Sequence, residues 1–556
     1  MRKLLSVLLV LAVLLSVTTG CKNSARLSTT ATTPPPAETT QTTQTTTVPT
    51  LPPSQEVVIT QGQVEYTLTA EDVTVFETML ADFEILALRS EDPDEIDDAL
   101  TQLEDAFSHL EDQASAAMVL YYCDLTDENA SQRYIVCTEL VTQANNDFLE
   151  VLRRIYKAEA SACDVIFADW SELELQMLMA YTPEIMLLQQ RNSEIEVAYQ
   201  ALQQDPELYS KMEPLFLELV QNNNRMAQIY GFDNYYQYAY QMGYDRDYGE
   251  GEVAAMRTYA ATYLIPAMSG AVARFGQSIS ALDEADRVAL TEFLYSAFDE
   301  STVEDYLKIL PQQTGAQMRQ MFDGDILLMD TRENALEGAF TTNLSSDRAI
   351  CFFGPGCSDI LTVIHEVGHY YGCQHTLLDD LPLDLAETQS QGNEWLFMEY
   401  LREQMDPQLY QALLDYKMYS DMSTIVISLI VDEFEQQVYT HPDPSSLTSS
   451  QLEEMMVSVC EKYGGVDYLA ENLTDVHSYW RLVAIEQPVY YISYAVSAVA
   501  AMNIYTVAQK DFEEAVQIYA NLIEELDVDK GFLGNLEEVG ISGPFEEEVY
   551  KQLLTQ

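Results

Sequence analysis

The sequence predicts a mainly helical protein with a few short β-strands. Apolar residues recur at three-to-four spacing over residues 69–330, and this helical period begins with Val73, Phe76, Leu80, Phe83 and Leu86. Gly and Pro are scarce in the same stretch and occur at apparent joints between helices. Strand-like patterns are short, which limits the β-structure to small pieces.

The chain is strongly acidic. Its 556 residues contain 90 Asp and Glu against 27 Lys and Arg, a formal charge of −63. Such a charge repels nucleic-acid phosphates, so no nucleic-acid partner is expected. It also argues against docking on anionic lipid through basic patches.

The N-terminus has the features of a targeting segment. A short basic start and an uncharged apolar run lead into Thr18-Thr19-Gly20-Cys21, which resembles a bacterial lipobox. Residues 1–20 are therefore predicted to be a lipoprotein signal peptide. The expected membrane attachment is through a lipid on Cys21 only, at the extracellular face of the cell membrane. An ordinary cleaved signal peptide, giving a secreted protein, is the alternative.

Residues 21–56 form a linker that is dense in Thr and Pro and poor in large apolar residues, so it cannot bury a core. Beyond it, we predict an N-terminal helical region over residues 57–204 and a catalytic region over residues 205–556. Residues 57–68 alternate like a short hairpin, and Thr69 begins a helix as its N-cap. The apolar run Pro488 to Ala508 is interpreted as a buried helix rather than a membrane span.

A second β signal leads into the most informative motif. Residues 349–353 are apolar, end at Gly354-Pro355-Gly356, and predict a strand that runs into a helix beginning near Ser358-Asp359. That helix contains His365-Glu366-Val367-Gly368-His369. Histidines at i and i+4 lie on one helix face and suit a single Zn²⁺ ion. Glu366 is then placed as the general base that takes a proton from a zinc-activated water.

Two residues compete as the third ligand. His375 completes H-E-x-x-H-x-x-G-x-x-H, the metzincin pattern, with Gly372 in place for a turn. Glu387 is the rival, because a metal would explain why a row of polar side chains faces inward on a helix edged by large apolar residues. This row shares one face at i, i+3, i+7 and i+10 and comprises Asp384, Glu387, Gln391 and Glu394. A solvated acidic face is the alternative in so acidic a chain.

Several segments resemble the thimet oligopeptidase and oligoendopeptidase F type of zinc metallopeptidase, a gluzincin. The resemblance spans roughly residues 205–510 in patches. Its segments are Asn224 to Tyr236, Gly338-Ala339-Phe340, the stretch Asp359 to Ile364 before the H-E-x-G-H helix, the A-E-x-x-S-x-x-N-E stretch Ala386 to Glu394, and the Tyr-rich Tyr490 to Ala495. The resemblance implies two helical halves around a deep channel, with short strands near the zinc.

The resemblance also implies residue roles. It favours Glu387 as third zinc ligand, beside His365 and His369, and makes Tyr491 and Tyr494 candidates for stabilising the tetrahedral intermediate. The sequence departs from the family pattern in having no matching His upstream of the tyrosines, since His477 is out of register. The implied activity is zinc-dependent hydrolysis of internal bonds in peptides. The alternatives are a catalytically silent peptide-binding lipoprotein of the same fold and a metzincin-type protease using His375.

Overall fold

A computed structural model of the chain describes most of the region beyond the linker. The described residues are 57–58, 64–202, 208–329, 332–345, 348–377, 381–464, 484–485 and 487–553. The predicted signal peptide, Cys21 and the linker lie outside them, as does His477. No helix within these ranges is both long enough and apolar enough to cross a membrane.

The N-terminal part begins as the sequence predicts. Strand β1 (Val57–Val58) pairs antiparallel with β2 (Glu65–Tyr66), and Thr69 then caps the first helix. The Asp72 carboxylate accepts a hydrogen bond from the Thr69 N–H at 2.8 Å, which completes a capping box. The helices that follow are α1 (Ala70–Ala87), α2 (Pro93–Tyr122), α3 (Glu128–Lys157), α4 (Cys163–Ile166), α5 (Glu172–Ala180) and α6 (Pro183–Leu202).

The helical character continues through the middle of the chain. The next helices are α7 (Leu208–Tyr230), α8 (Tyr235–Tyr238), α9 (Glu250–Tyr259), α10 (Ile265–Ala281), α11 (Glu284–Tyr295), α12 (Glu300–Leu307) and α13 (Gln312–Arg319). Two π-helical turns, Ala239–Gly243 and Ala260–Leu264, extend α8 and α9, and a 3₁₀ turn, Gln320–Asp323, extends α13. Together with α1–α6 they confirm the prediction of a mainly helical protein.

A three-stranded sheet follows these helices. Its strands are β3 (Ile326–Leu328), β4 (Ala339–Ser345) and β5 (Arg348–Phe353), in the order β3-β5-β4. Strand β3 runs parallel to β5, and β4 runs antiparallel to it. The sequence predicted only β5, because β3 and β4 are too short or too irregular to show a clear alternation.

The C-terminal part returns to helices. They are α14 (Ile360–Cys373), α15 (Leu383–Gln404), α16 (Pro407–Tyr439), α17 (Ser449–Lys462), α18 (Ile492–Ala508), α19 (Phe512–Glu524), α20 (Gly531–Val539) and α21 (Glu547–Leu553), with 3₁₀ turns Pro444–Ser446 and Val528–Lys530. Helix α18 is buried along its length, as predicted for residues 488–508.

A tight turn joins β5 to α14. A Cβ on Gly354 would lie 1.8 Å from the carbonyl oxygen of Leu336, so only glycine fits where the chain leaves the sheet. Asp359 then caps α14 by accepting a hydrogen bond from the Thr362 N–H at 3.2 Å. The helix therefore starts at the position that the sequence predicted.

Helix α14 packs closely on α15. A Cβ on Gly368 would lie 2.7 Å from Cα of Ser390 and 2.9 Å from the carbonyl oxygen of Gln389, so the glycine lets the two backbones approach. Asn393 ties the helices together by donating to the Ile364 carbonyl at 2.7 Å. Helix α15 in turn packs along α18. The polar face of α15 is thereby enclosed in the protein interior.

Candidate metal centre

Helix α14 brings its two motif histidines together. Nε2 of His365 lies 3.2 Å from Nε2 of His369, since residues four apart stand one helical turn apart on the same face. The His365 side chain is 14% exposed, and His369 is buried. Both imidazoles therefore present the same nitrogen to one small space at the edge of the core.

Helix α15 adds a carboxylate to this space. Oε2 of Glu387 lies 3.8 Å from Nε2 of His365. The ligand atoms of His365, His369 and Glu387 all lie within 4.8 Å of one another, and they form the candidate metal-binding group of the described residues. His375 lies apart from this group: it is exposed beyond the end of α14, and its Nε2 is 3.2 Å from Nε2 of Gln317.

The donor set fits a metal ion. Glu387 is buried, and within the described ranges its Oε2 has no hydrogen-bond partner. A buried carboxylate oxygen without a partner is costly unless a cation or a proton satisfies it. Two imidazole nitrogens and one carboxylate oxygen are a three-ligand set known for catalytic zinc, which keeps a fourth position for water or substrate.

The electrostatics of the group also favour a cation. Burial opposes protonation of His365, but Glu394, Glu387 and Glu366 outweigh it and raise the pKa of His365 to about 9. Burial raises the pKa of Glu387 to about 7; the charge of His365 opposes the rise, and the carboxylates of Glu366, Glu394 and Asp384 add to it. The pKa of His369 falls well below its usual value because of burial and the charge of His365. One positive charge is therefore strongly preferred here.

A series of charged side chains orients His365 from the Nδ1 side of its ring. Its Nδ1 lies 2.7 Å from Oε1 of Glu394, which leaves Nε2 for the metal. Oε2 of Glu394 pairs with Nζ of Lys417 at 3.0 Å, and Lys417 also contacts Asp421 at 2.6 Å. Although burial alone would raise the pKa of Glu394, Lys417 and His365 hold it below its usual value. Glu394 is therefore held as a carboxylate that fixes the ring.

Glu366 stands between the two histidines in sequence and is fully buried. The Thr341 hydroxyl, on β4, donates to its Oε2 at 2.7 Å and also lies 3.4 Å from its carbonyl oxygen. Strand β4 therefore fixes the side chain that the sequence assigned as general base. The same hydroxyl lies 3.2 Å from Sγ of Cys351 on β5.

The tyrosines form a separate cluster at the start of α18. Tyr490, Tyr491 and Tyr494 are nearly buried and pack with Val431 of α16, next to Leu383 at the start of α15. The hydroxyl oxygens of Tyr490 and Tyr494 are 3.4 Å apart. Leu383, which the cluster contacts, lies about one helical turn before Glu387 on α15. A catalytic role for Tyr491 and Tyr494 stays a prediction.

Sequence reasoning did not find several residues that support the site. Thr341, Lys417 and Asp421 come from other elements, and only the tertiary packing brings them to Glu366 and Glu394. A weak signal existed for Lys417, since a basic residue is unusual among the apolar positions of α16 in so acidic a chain. The inward acidic face of α15, in contrast, is found as predicted: Asp384, Glu387 and Gln391 are buried and Glu394 is nearly so.

No family model matches the sequence, and no curated protein matches it either. Solved structures do match in fold. Their overall architecture is similar to the one described here. One is a PZ peptidase A with an inhibitor, at a TM-score of 0.67 and 16% identity, with 88% of this chain and 97% of that one covered.

Two further structures have the same fold. A protein assigned as an oligoendopeptidase F has a TM-score of 0.68 and 17% identity, and the match covers 87% of this chain and 95% of that one. An oligoendopeptidase-F from Enterococcus faecium has a TM-score of 0.54 and 13% identity, with 88% and 97% covered. The resemblance seen in the sequence is thus confirmed for the fold, which extends over nearly the whole length of these proteins.

Proposed function

We propose that this chain is a zinc metallopeptidase of the oligoendopeptidase type, which hydrolyses internal bonds of peptides. The observation that carries the proposal is that the ligand atoms of His365, His369 and Glu387 lie within 4.8 Å of one another. Glu366 is on α14, the helix that carries the two histidines. The fold is that of proteins whose names describe peptidases and oligoendopeptidases, which supports the substrate class. The acidic surface is compatible with peptides and unsuited to nucleic acid.

Each residue of the site has a defined task in this reaction. His365, His369 and Glu387 would hold Zn²⁺, which supplies the charge that acidifies a water and polarises the scissile carbonyl. Glu366, fixed through Oε2 by Thr341, accepts the proton of the attacking water through Oε1 and delivers it to the leaving amine nitrogen. The water oxygen bonds to the carbonyl carbon, and the C–N bond then breaks.

We further propose that Tyr491 and Tyr494 donate hydrogen bonds to the oxygen that becomes negative in the transition state. Such bonds accelerate the reaction because they are stronger in the transition state than to the ground-state carbonyl. The support is the sequence resemblance and the position of the cluster beside the start of α15. Attachment to the outer face of the membrane through lipidated Cys21 is a separate proposal, which depends only on the lipobox-like sequence.

The test is hydrolysis of a quenched-fluorescent peptide library by the purified protein with zinc, with a chelator, and with Glu366→Gln. Cleavage that stops with the chelator and is lost in the Gln variant supports the proposal. Glu399→Gln is the matched control, because Glu399 is likewise a buried glutamate, on the neighbouring helix α15, and pairs with Arg402 at 2.7 Å. A folded protein that binds zinc and cleaves no peptide contradicts the proposal and favours a peptide-binding lipoprotein.

The third ligand is tested by zinc retention. Glu387→Ala is expected to weaken zinc binding by more than the roughly 10–100-fold that is usual when a residue that only orients a ligand is replaced. His375→Ala is expected to keep wild-type affinity, since His375 lies at the surface beside Gln317. The opposite result would favour the metzincin-type arrangement.

A further inference from the structure

The turn before α18 has an unusual backbone. Val489 has a φ of +63°, in the left-handed region that β-branched residues rarely adopt. Such a conformation persists only where the surroundings impose it, and it is frequent at functional sites. Val489 directly precedes Tyr490 and Tyr491, so the path of the chain at this residue sets where the tyrosine cluster begins.

A buried arginine holds the carbonyl side of this turn. Nη2 of Arg246 donates to the carbonyl oxygens of Val489 at 2.9 Å and Tyr490 at 3.3 Å, and to Oγ of Ser493 at 3.0 Å. Its guanidinium lies over the ring of Tyr244, 4.4 Å from the ring centroid. The Tyr244 hydroxyl itself donates to the Pro488 carbonyl at 2.9 Å.

A buried glutamate holds the amide side. Glu435 of α16 is fully buried, and its Oε1 accepts a hydrogen bond from the Val489 N–H at 2.9 Å. Burial raises the pKa of Glu435 to about 8, with the charge of Asp432 adding to the effect. The N–H of Val489 is therefore hydrogen-bonded to Glu435 of α16, and its carbonyl oxygen is hydrogen-bonded to Arg246. Both partners are ionisable side chains that are distant from Val489 in the sequence.

The arginine also connects this turn to the metal-binding helix. Burial raises the pKa of Asp384, in the first turn of α15, while the charge of Arg246 and a hydrogen bond with Ser493 oppose the rise. Asp384 lies one turn before Glu387 on the same helix. Ser493 thus contacts both Arg246 and Asp384, and the three side chains link the first turn of α18 to the first turn of α15.

We propose that Arg246 and Glu435 are positioning residues that lock the turn at Val489 and so hold Tyr491 and Tyr494 in place relative to the helix that carries Glu387. This inference rests on the proposed peptidase function and deepens it. The two residues act through the turn, since their hydrogen bonds are with the backbone of residues 489–490 and with Ser493.

Glu435 allows a matched pair of variants. Glu435→Gln keeps a carbonyl oxygen that accepts from the Val489 N–H, whereas Glu435→Leu has similar bulk and no acceptor. The Leu variant is expected to lose at least about tenfold in kcat with KM within about threefold, because a tyrosine contact made only in the transition state is misplaced. Zinc content is expected to be unchanged. The Gln variant is expected to retain the wild-type kcat.

Amide hydrogen exchange gives a readout that does not need activity. Exchange of residues 487–494 is expected to be faster in Glu435→Leu and unchanged in Glu435→Gln, with the amides of α14 unaffected in both. If the Leu variant does not fold, Arg246→Lys takes its place. It keeps the positive charge, but the shorter lysine side chain ends about one bond before the position of Nη2, so the bonds to Val489, Tyr490 and Ser493 are weakened and the same loss of kcat is expected.

Unchanged kcat and unchanged exchange in these variants would overturn the proposal. So would a loss of activity that follows zinc loss in a folded variant, or global unfolding of both Glu435→Leu and Arg246→Lys, because either outcome describes a merely structural role. If the wild-type protein cleaves no peptide, the proposed function fails, and the exchange of residues 487–494 alone decides whether Arg246 and Glu435 lock the turn.

Discussion

Lys417 and Glu394 form a buried ion pair, 3.0 Å between Nζ and Oε2, directly behind His365. The charge of Lys417 keeps Glu394 ionised in an environment that would otherwise favour its neutral form. Glu394 can then accept the Nδ1 proton of His365, which sets the tautomer that offers Nε2 to a metal. The lysine thus influences the metal site although it is two side chains away from it.

Lys417→Met is therefore expected to weaken zinc binding by about 10–100-fold, the usual effect of removing a residue that orients a ligand. Competition with a chromophoric chelator measures the affinity. Lys308→Met is the matched control, because Lys308 is exposed and pairs with Asp305 at the surface. Unfolding of the metal-free protein checks that the variant folds, since Glu394 and Asp421 lose a buried partner. Unchanged zinc affinity in a folded Lys417→Met would contradict this role.

Gly368→Ala tests the close packing of α14 on α15. The added methyl would lie 2.7 Å from Cα of Ser390, so one helix must move. We expect a loss of about 1–3 kcal/mol in unfolding free energy, typical of overpacking, together with weaker zinc binding. Gly276→Ala in α10 is the control, since nothing lies within 4 Å of its added Cβ, and alanine is favoured in a helix by about 0.5–1 kcal/mol. Equal effects of both changes would disprove the steric explanation.

Thr341→Val tests how Glu366 is held. Valine keeps the shape of threonine and removes the hydroxyl that donates to Oε2 of Glu366 at 2.7 Å. A hydrogen bond to a charged group is worth about 1.5–3 kcal/mol, so a fall in kcat of at least about tenfold is expected with zinc content retained. Thr342→Val is the control, because within the described ranges the Thr342 hydroxyl makes only a long contact, 3.5 Å, with its neighbour's carbonyl. Normal kcat in Thr341→Val would show that the bond does not position the base.

The sequence could predict the parts of the site that are local. His365, Glu366 and His369 share one helix, and the acidic row from Asp384 to Glu394 shows its spacing directly, so helical geometry alone relates their side chains. The capping box at Thr69, strand β5 and the buried helix α18 were predictable for the same reason. Each depends on a pattern within a few neighbouring residues.

The sequence could not predict the residues that hold these parts in place. Thr341 reaches Glu366 because β4 pairs with β5 beneath α14, and Arg246 reaches Val489 across 243 residues of chain. Neither contact follows a period, and a single sequence carries no signal of which distant residues pair. Similarly, Glu435 is one more acid in a chain with 90 acidic residues, and only its burial against a strained turn distinguishes it.

Glu435 also makes a prediction about pH. Its pKa is raised from 4.5 to about 8 in the folded protein by burial, with Asp432 adding and Arg246 and the Val489 N–H opposing. The folded state therefore holds a proton that the unfolded state has released between about pH 4.5 and 8, so this group lowers stability as pH rises through that window and has no further effect above it.

The glutamine in Glu435→Gln cannot ionise, so this variant does not lose stability from this position as the pH rises. The variant is expected to gain stability relative to the wild type as pH rises from about 5 to 8, by about 1 kcal/mol per pH unit, and the difference should level off above about pH 8. Thermal unfolding of both proteins across this range measures the difference, and the other titrating groups cancel because the two chains share them. Glu399→Gln is a useful second comparison, since burial raises the pKa of Glu399 while Arg402 opposes the rise. A difference between Glu435→Gln and wild type that stays constant from about pH 5 to 9 would mean that Glu435 is ionised throughout, and that the Val489 N–H and Arg246 stabilise its charge at least as much as burial destabilises it.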